Sequence, residues 1–202
     1  MSALLMKDFY LLWKQLKAFL VIILVFSAIP GGYNTVFAVA YAAMLPYSCI
    51  AYDERSKWDQ LAAMMPYTAK AIVGSKYALG LLLIGSISLL SAASQVVVSV
   101  VQHVPLNTET LISIPLVACG ALLMMLIDLP LMFRLGVEKG RIIYILLTCG
   151  CVTYFAMNTD DVIASLDTVS VYSALLMVLA ITIVAFVISY TISVQVYRVR
   201  RG

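Results

Sequence analysis

Residues 70–101 read KAIVGSKYALGLLLIGSISLLSAASQVVVSVV, with Lys70 and Lys76 near the start and no charge after them. As an α-helix these 32 residues extend roughly 48 Å. The hydrocarbon core of a bilayer needs only about 30 Å. Tilt, or an extension beyond the bilayer at the lysine end, absorbs the excess. A helix this long and this apolar has no place in a water-soluble domain of 202 residues. Gly74, Gly80 and Gly85, with Ser86, Ser91 and Ser94, give it a small-residue face suited to close helix packing.

The rest of the chain follows the same rule. Hydrophobic residues make up 63% and charged residues 11%, against about a quarter charged in soluble proteins; the mean hydropathy is +1.03. Irregular backbone cannot face lipid, so each long apolar run is expected to be helical. Six runs can be drawn, at 15–30, 33–52, 70–101, 110–135, 141–158 and 169–196. The first is short unless it begins further upstream. A cleaved signal peptide is the competing reading of the N-terminal stretch, because Lys7, Lys14 and Lys17 precede an apolar segment and Ala38-Val39-Ala40 imitates a cleavage site. That site falls inside the second run, and Pro30-Gly31-Gly32 fits a hairpin between two spans. No linker is long enough to divide the chain, so residues 1–202 are expected to form one membrane domain.

Charge supplies the orientation. With the N-terminus in the cytoplasm, six crossings return the C-terminus to the same side. All 13 Lys and Arg then fall in cytoplasmic segments, while Glu109, Asp160, Asp161, Asp167 and His103 fall outside. The net charge of +3 gives no ground for a nucleic-acid partner, because in membrane proteins sidedness carries the information. Upstream of the first run, Phe9, Leu12, Trp13 and Leu16 share one helical face, apart from Lys7, Lys14 and Lys17. This is the pattern of an amphipathic interfacial helix lying on anionic lipid; the alternative is a snorkelling end of the first span.

Chemistry-bearing groups are few. Cys49, Cys119, Cys149 and Cys151 lie in apolar runs, where thiols act as small hydrophobes, and Cys149-Gly150-Cys151 matches neither a zinc nor a redox spacing. No catalytic or metal residues are assigned: Gln95 and His103 have no partners in a nucleophile or zinc motif, and the phosphate-binding Gly-x-x-x-x-Gly-Lys-Ser/Thr loop is missing. This chain is therefore not expected to hydrolyse ATP or to bind a cofactor itself. Asp128 is the one carboxylate inside an apolar run, where charge costs about 2.5–3.5 kcal/mol on insertion scales. Satisfaction by water or by Arg134 across Pro130, a place with Arg134 on a translocation path or gate, and proton coupling are its open readings.

The most structured polar segment is 52–76, YDERSKWDQLAAMMPYTAKAIVGSK. Ser56 and Asp59 suggest a capping box, followed by a short helix ending before Pro66 with Trp58, Leu61, Ala62 and Met65 on one face. Thr68 can cap the next helix. Such a face suits docking into a partner's groove, or else rests on the membrane surface. This segment resembles the signature of small ABC-2 type permeases, particularly the group containing the phenol-soluble modulin exporter permeases of Gram-positive bacteria. The features that match are Lys7-Asp8 with aromatic residues before the first span, Tyr52-Asp53-Glu54 leading to Trp58, then Pro66, and Lys70 and Lys76 entering the third span.

That resemblance implies an all-α fold of six transmembrane helices, with an interfacial N-terminal helix and a short cytoplasmic coupling helix, in a bacterial cell membrane. It implies a permease subunit without a nucleotide-binding domain, paired with a separate ABC ATPase that binds ATP and Mg, and dimeric with a second copy or close homologue. Asp53, Glu54, Trp58, Leu61, Met65 and Pro66 would then couple the ATPase to the spans. The expected activity is export of a hydrophobic or amphipathic cargo, with peptides ahead of lipids and drugs. The short outer loop at 158–168 departs from an elaborate extracellular gate. A non-transporting membrane scaffold or immunity-like protein is the rival reading, and a proton-driven carrier the third.

Overall fold

A computed structural model describes residues 2–15, 17–29, 32–65, 67–102, 108–143, 145–146, 150 and 171–201. They form α1 (Ser2–Gln15), α2 (Lys17–Ala28), α3 (Gly32–Arg55), α4 (Trp58–Met64), α5 (Ala69–Gln102), α6 (Thr108–Leu135) and α7 (Val171–Arg201). A further helical stretch over 137–143 follows Gly136. Among the described residues, four helices are long and apolar enough to cross a membrane, at Asn34–Arg55, Ala69–Val101, Ile114–Leu135 and Leu175–Val199. They correspond to the second, third, fourth and sixth expected runs. Of the first run, α2 has 12 residues and spans about 18 Å, too short alone for the hydrocarbon core. Most of the fifth run lies outside the described residues.

α3 sits centrally, packed on α2, α5 and α6, while α6 makes its most extensive pairing with α7. The buried line of α3 is Ala38, Ala42, Leu45 and Cys49, and its small side chains admit neighbouring helices closely. Gly80 of α5 occupies the tightest point. A Cβ there would run into the Met125 thioether and come within 3.2 Å of Pro46 Cγ. Gly85, by contrast, faces open space, and Ser86 is exposed and bonds its own helix at the Leu83 carbonyl. The expected small-residue face is thus a narrower seam than Gly74 to Ser94 suggested. It includes Ser91 and Ser94, which clamp α2 through the Ser27 hydroxyl at 2.9 Å and the Ser27 carbonyl at 2.9 Å.

A second polar seam joins α5, α6 and α7. The Tyr77 hydroxyl lies 2.6 Å from Ser189 Oγ and 2.8 Å from Ser193 Oγ, and Ser189 in turn donates to the Leu126 carbonyl. Phe186 and Tyr190 hold the Tyr77 ring edge-on at 5.6 and 5.7 Å. Interhelical hydrogen bonds in membranes contribute on average about 0.6 kcal/mol each, so these seams specify register more than they add stability. Outside them, Met177, Val184, Val187 and Ile188 of α7 are exposed, as a lipid-facing surface requires.

α1 differs from its expected orientation. Its buried line is Leu4, Asp8 and Leu12, spaced four residues apart, while Met6, Phe9, Tyr10 and Trp13 are exposed. Leu12 therefore does not share a face with Phe9 and Trp13, and Leu16 lies outside the described residues. The cause is Asp8: a buried carboxylate must meet a cation, and that requirement sets the rotation of the helix.

Gly80→Ala is expected to destabilise the detergent-solubilised protein by about 1–3 kcal/mol through overpacking. Gly85→Ala is expected to leave it unchanged or up to about 1 kcal/mol more stable, by helix propensity. Thermal unfolding of the two variants side by side checks the contrast.

Candidate functional site

The ends of α3, α5, α6 and α7 that carry Arg55, Lys70, Arg134 and Arg198 gather at one end of the bundle, as the contacts from Tyr190 to the Lys70 carbonyl and from Phe133 to Tyr197 show. Here the chain turns from α3 into α4 and α5. Lys57 makes the reversal in a left-handed conformation, φ 52°, and stands at the N-cap of α4 with no side-chain cap hydrogen bond. The expected capping box is therefore not formed. Ser56 Oγ instead donates back to the Asp53 carbonyl at 3.2 Å, because the reversal keeps it with the last turn of α3. The expected Thr68 cap is present: its Oγ1 accepts the Ala71 N–H at 3.3 Å.

Beneath α4, four charges converge from three helices. Lys76 Nζ of α5 lies 2.7 Å from Asp8 Oδ1 of α1 and 2.6 Å from Asp53 Oδ2 of α3. Lys7 Nζ bridges the same two carboxylates, at 3.2 Å from Asp8 Oδ1 and 2.6 Å from Asp53 Oδ1. The Lys76 and Asp8 side chains are 3% and 1% exposed, so this is a buried ion-pair network and not a surface decoration. Asp53 stands in the last turn of α3, where the helix dipole disfavours a carboxylate; the two ammonium groups offset that penalty. Lys7 also lies 4.2 Å from the centre of the Trp58 ring, so the first residue of α4 rests on the same group of charges.

Glu54 reaches in another direction. Its Oε2 accepts the Val137 N–H at 3.0 Å, immediately after Gly136 with φ 81°, a backbone conformation that favours glycine. A Cβ at Gly136 would also approach Glu54 Oε1 at 3.3 Å. Adjacent residues of α3 thus hold α1 and α5 through Asp53, and the turn after α6 through Glu54.

The expected face of α4 is divided. Ala62 is fully buried and Trp58 is half-buried against the core, whereas Leu61 and Met65 are exposed with Met64, the most exposed of them at 85%. Pro66 lies outside the described residues. Asp128 is buried in α6 and accepts from the Tyr47 hydroxyl at 3.3 Å; it does not pair with Arg134, which lies exposed at the end of α6. Six residues of helix turn the two side chains apart around the axis, and Tyr47 of α3 takes the place that the pairing reading offered to water or Arg134. Sequence reasoning passed over Tyr47 and Met64, and it took Lys7, Asp8 and Lys76 as family features without bringing them together. The signal that could have found them is Asp8, set between Leu4 and Leu12 on the inward face of an amphipathic helix.

A family model described as "ABC-2 family transporter protein" matches residues 3–198. The chain belongs to the ABC-2 transporter family. No curated protein and no solved structure matches it. An ABC-2 permease is a multi-pass membrane subunit of a transporter and is not itself catalytic, and the family in general works with an ABC ATPase. In this permease residues of the recognisable 52–76 segment meet the N-terminal Lys7-Asp8 pair in space: Lys7, Asp8, Asp53, Trp58 and Lys76 form one contiguous group.

Removing one member of the network strands the others. Lys76→Ala is expected to cost about 3–5 kcal/mol, since it leaves buried carboxylates underpaired. The double variant Asp8→Leu/Lys76→Met should recover most of that loss. A thermal-stability cycle over the two single variants and the double checks it.

Proposed function

We propose that this permease subunit exports a hydrophobic or amphipathic cargo, a peptide ahead of a lipid or drug, and is driven by a separate ABC ATPase docking on α4. The observation that carries this reading is the buried Lys7–Asp8–Asp53–Lys76 network directly beneath α4. A rigid docking element needs a stiff connection to the spans it moves, and here α4 rests through Trp58 on charges shared by α1, α3 and α5. Leu61, Met64 and Met65 supply the apolar outward face that would enter the ATPase groove, and Glu54 extends the connection to the turn after α6. Asp53, Glu54 and Trp58 act on the inner side of the coupling element, Leu61 and Met65 on the outer side.

ATP and Mg bind in the partner chain, consistent with the missing phosphate-binding loop. The basic end of the bundle faces the cytoplasm, in keeping with the positive-inside rule, and both termini lie there, in a bacterial cell membrane. A second copy or close homologue completes the transport path, in the manner of the phenol-soluble modulin exporter group. Asp128, held by Tyr47, serves on the path or at a gate.

Co-purification of the permease with candidate ABC ATPases from its own operon, and ATP-dependent efflux of an amphipathic peptide from vesicles, test the proposal together. Replacing Leu61 and Met64 by glutamate is expected to weaken ATPase capture by about 30-fold or more, the weight of one interface hot spot, and to abolish efflux. Undiminished capture would sink the docking assignment. ATPase capture without any cargo movement would favour the scaffold reading.

A further inference from the structure

A cavity of about 720 Å³ opens at the basic end of the bundle, away from the ion-pair network, between the last two turns of α3 and the residues that follow α6. It falls within the roughly 300–1,000 Å³ of small-molecule sites. Three cations line it: Arg55 from α3, and Lys139 and Arg141 from the helical stretch after Gly136. Glu54 and Glu138 share the wall, yet the Glu54 carboxylate is turned onto the Val137 N–H. Every ion pair within 4 Å among the described residues belongs to Lys7, Asp8, Asp53 and Lys76. The three cations of the cavity therefore face it without a carboxylate partner among those residues.

Both walls continue into exposed apolar side chains. On α3, Ser48 and Tyr52 of the cavity stand on the helical face that runs down through Met44, Tyr41 and Phe37, all exposed. On the other wall, Arg141 is followed by the exposed Ile142 and, one turn on, Ile145. The α3 span ends at Arg55, so the cavity lies at headgroup depth and these side chains lie at acyl-chain depth. Basic pockets between membrane helices at this depth bind anionic headgroups.

We propose that this cavity binds the headgroup of an anionic phospholipid, with Arg55, Lys139 and Arg141 on the phosphate and the acyl chains along the Phe37–Tyr41–Met44 face. The site is separate from the coupling network and does not depend on the cargo.

The full chain, purified in detergent and exchanged into micelles carrying either phosphatidylglycerol or phosphatidylcholine, should retain phosphatidylglycerol selectively in native mass spectrometry. The Arg55→Gln/Lys139→Gln/Arg141→Gln variant is expected to lose that retention by about a hundredfold, while Lys14→Gln/Lys17→Gln/Arg198→Gln, which removes the same charge elsewhere, keeps it. The three cavity cations are exposed, and the charge-preserving Arg55→Lys/Arg141→Lys variant, expected to keep most of the retention, controls for misfolding. Unchanged retention in the cavity variant, or equal loss in the control, would overturn the site. So would preferential capture of an anionic amphipathic peptide that is lost with the same three charges, which would make the cavity a mouth for cargo.

Discussion

Lys76, closed between Asp8 and Asp53, is the constraint on which the basic end of this permease depends. An ammonium group 3% exposed cannot stand alone, because desolvation costs several kcal/mol per ion unless the geometry returns it. Asp8 and Asp53 return it only if α1 and α3 are held at fixed rotation and depth beside α5. The network therefore dictates which face of α1 is buried. Replacing it by hydrophobic residues could match its stability; what such residues would not reproduce is the fixed register of three helices.

The two serine seams act further from that end and by a gentler rule. Ser27 with Ser91 and Ser94 joins α2 to α5, and Tyr77 with Ser189 and Ser193 joins α5 to α7. Both run through α5, which makes this helix the common member of the polar contacts. The remaining core is largely aliphatic and aromatic, Leu45, Ile84, Leu129 and Phe133 among it, with Gly80 under Met125 as a point of close approach. Lipid-facing side chains carry no such constraint, and α7 is correspondingly rich in interchangeable Ile, Leu and Val.

Four of the six expected runs could be recognised as spanning helices from composition alone, because an apolar stretch of more than 20 residues has no other stable environment. The Thr68 cap was equally legible, being a local interaction written in neighbouring residues. The face of α1 and the face of α4 were not. Periodicity groups Phe9 with Leu12 and Trp13, and Trp58 with Leu61 and Met65, by apolarity, but the partners that select the buried line, Lys76 for Asp8 and Lys7 for Trp58, lie tens of residues away or on another helix. The capping box failed for a related reason: the left-handed Lys57 moved the helix start, and a motif of residue types carries no information about φ. Asp128 was rightly noticed as costly, yet its partner Tyr47 stands 81 residues earlier, beyond any local pattern.

α5 is a single unbroken helix of 34 residues, pinned near one end by Lys76. From Lys76 to Gln102 the helix runs about 39 Å. Such an element behaves as a lever with a short arm and a long one: a tilt of about 5° about the pinned point sweeps the far end through roughly 3 Å, close to the width of a water molecule. The length that exceeds what the bilayer needs is thus mechanical reach, by which a small displacement at the charged end is carried along α5 to its Ser91 and Ser94 contacts with α2.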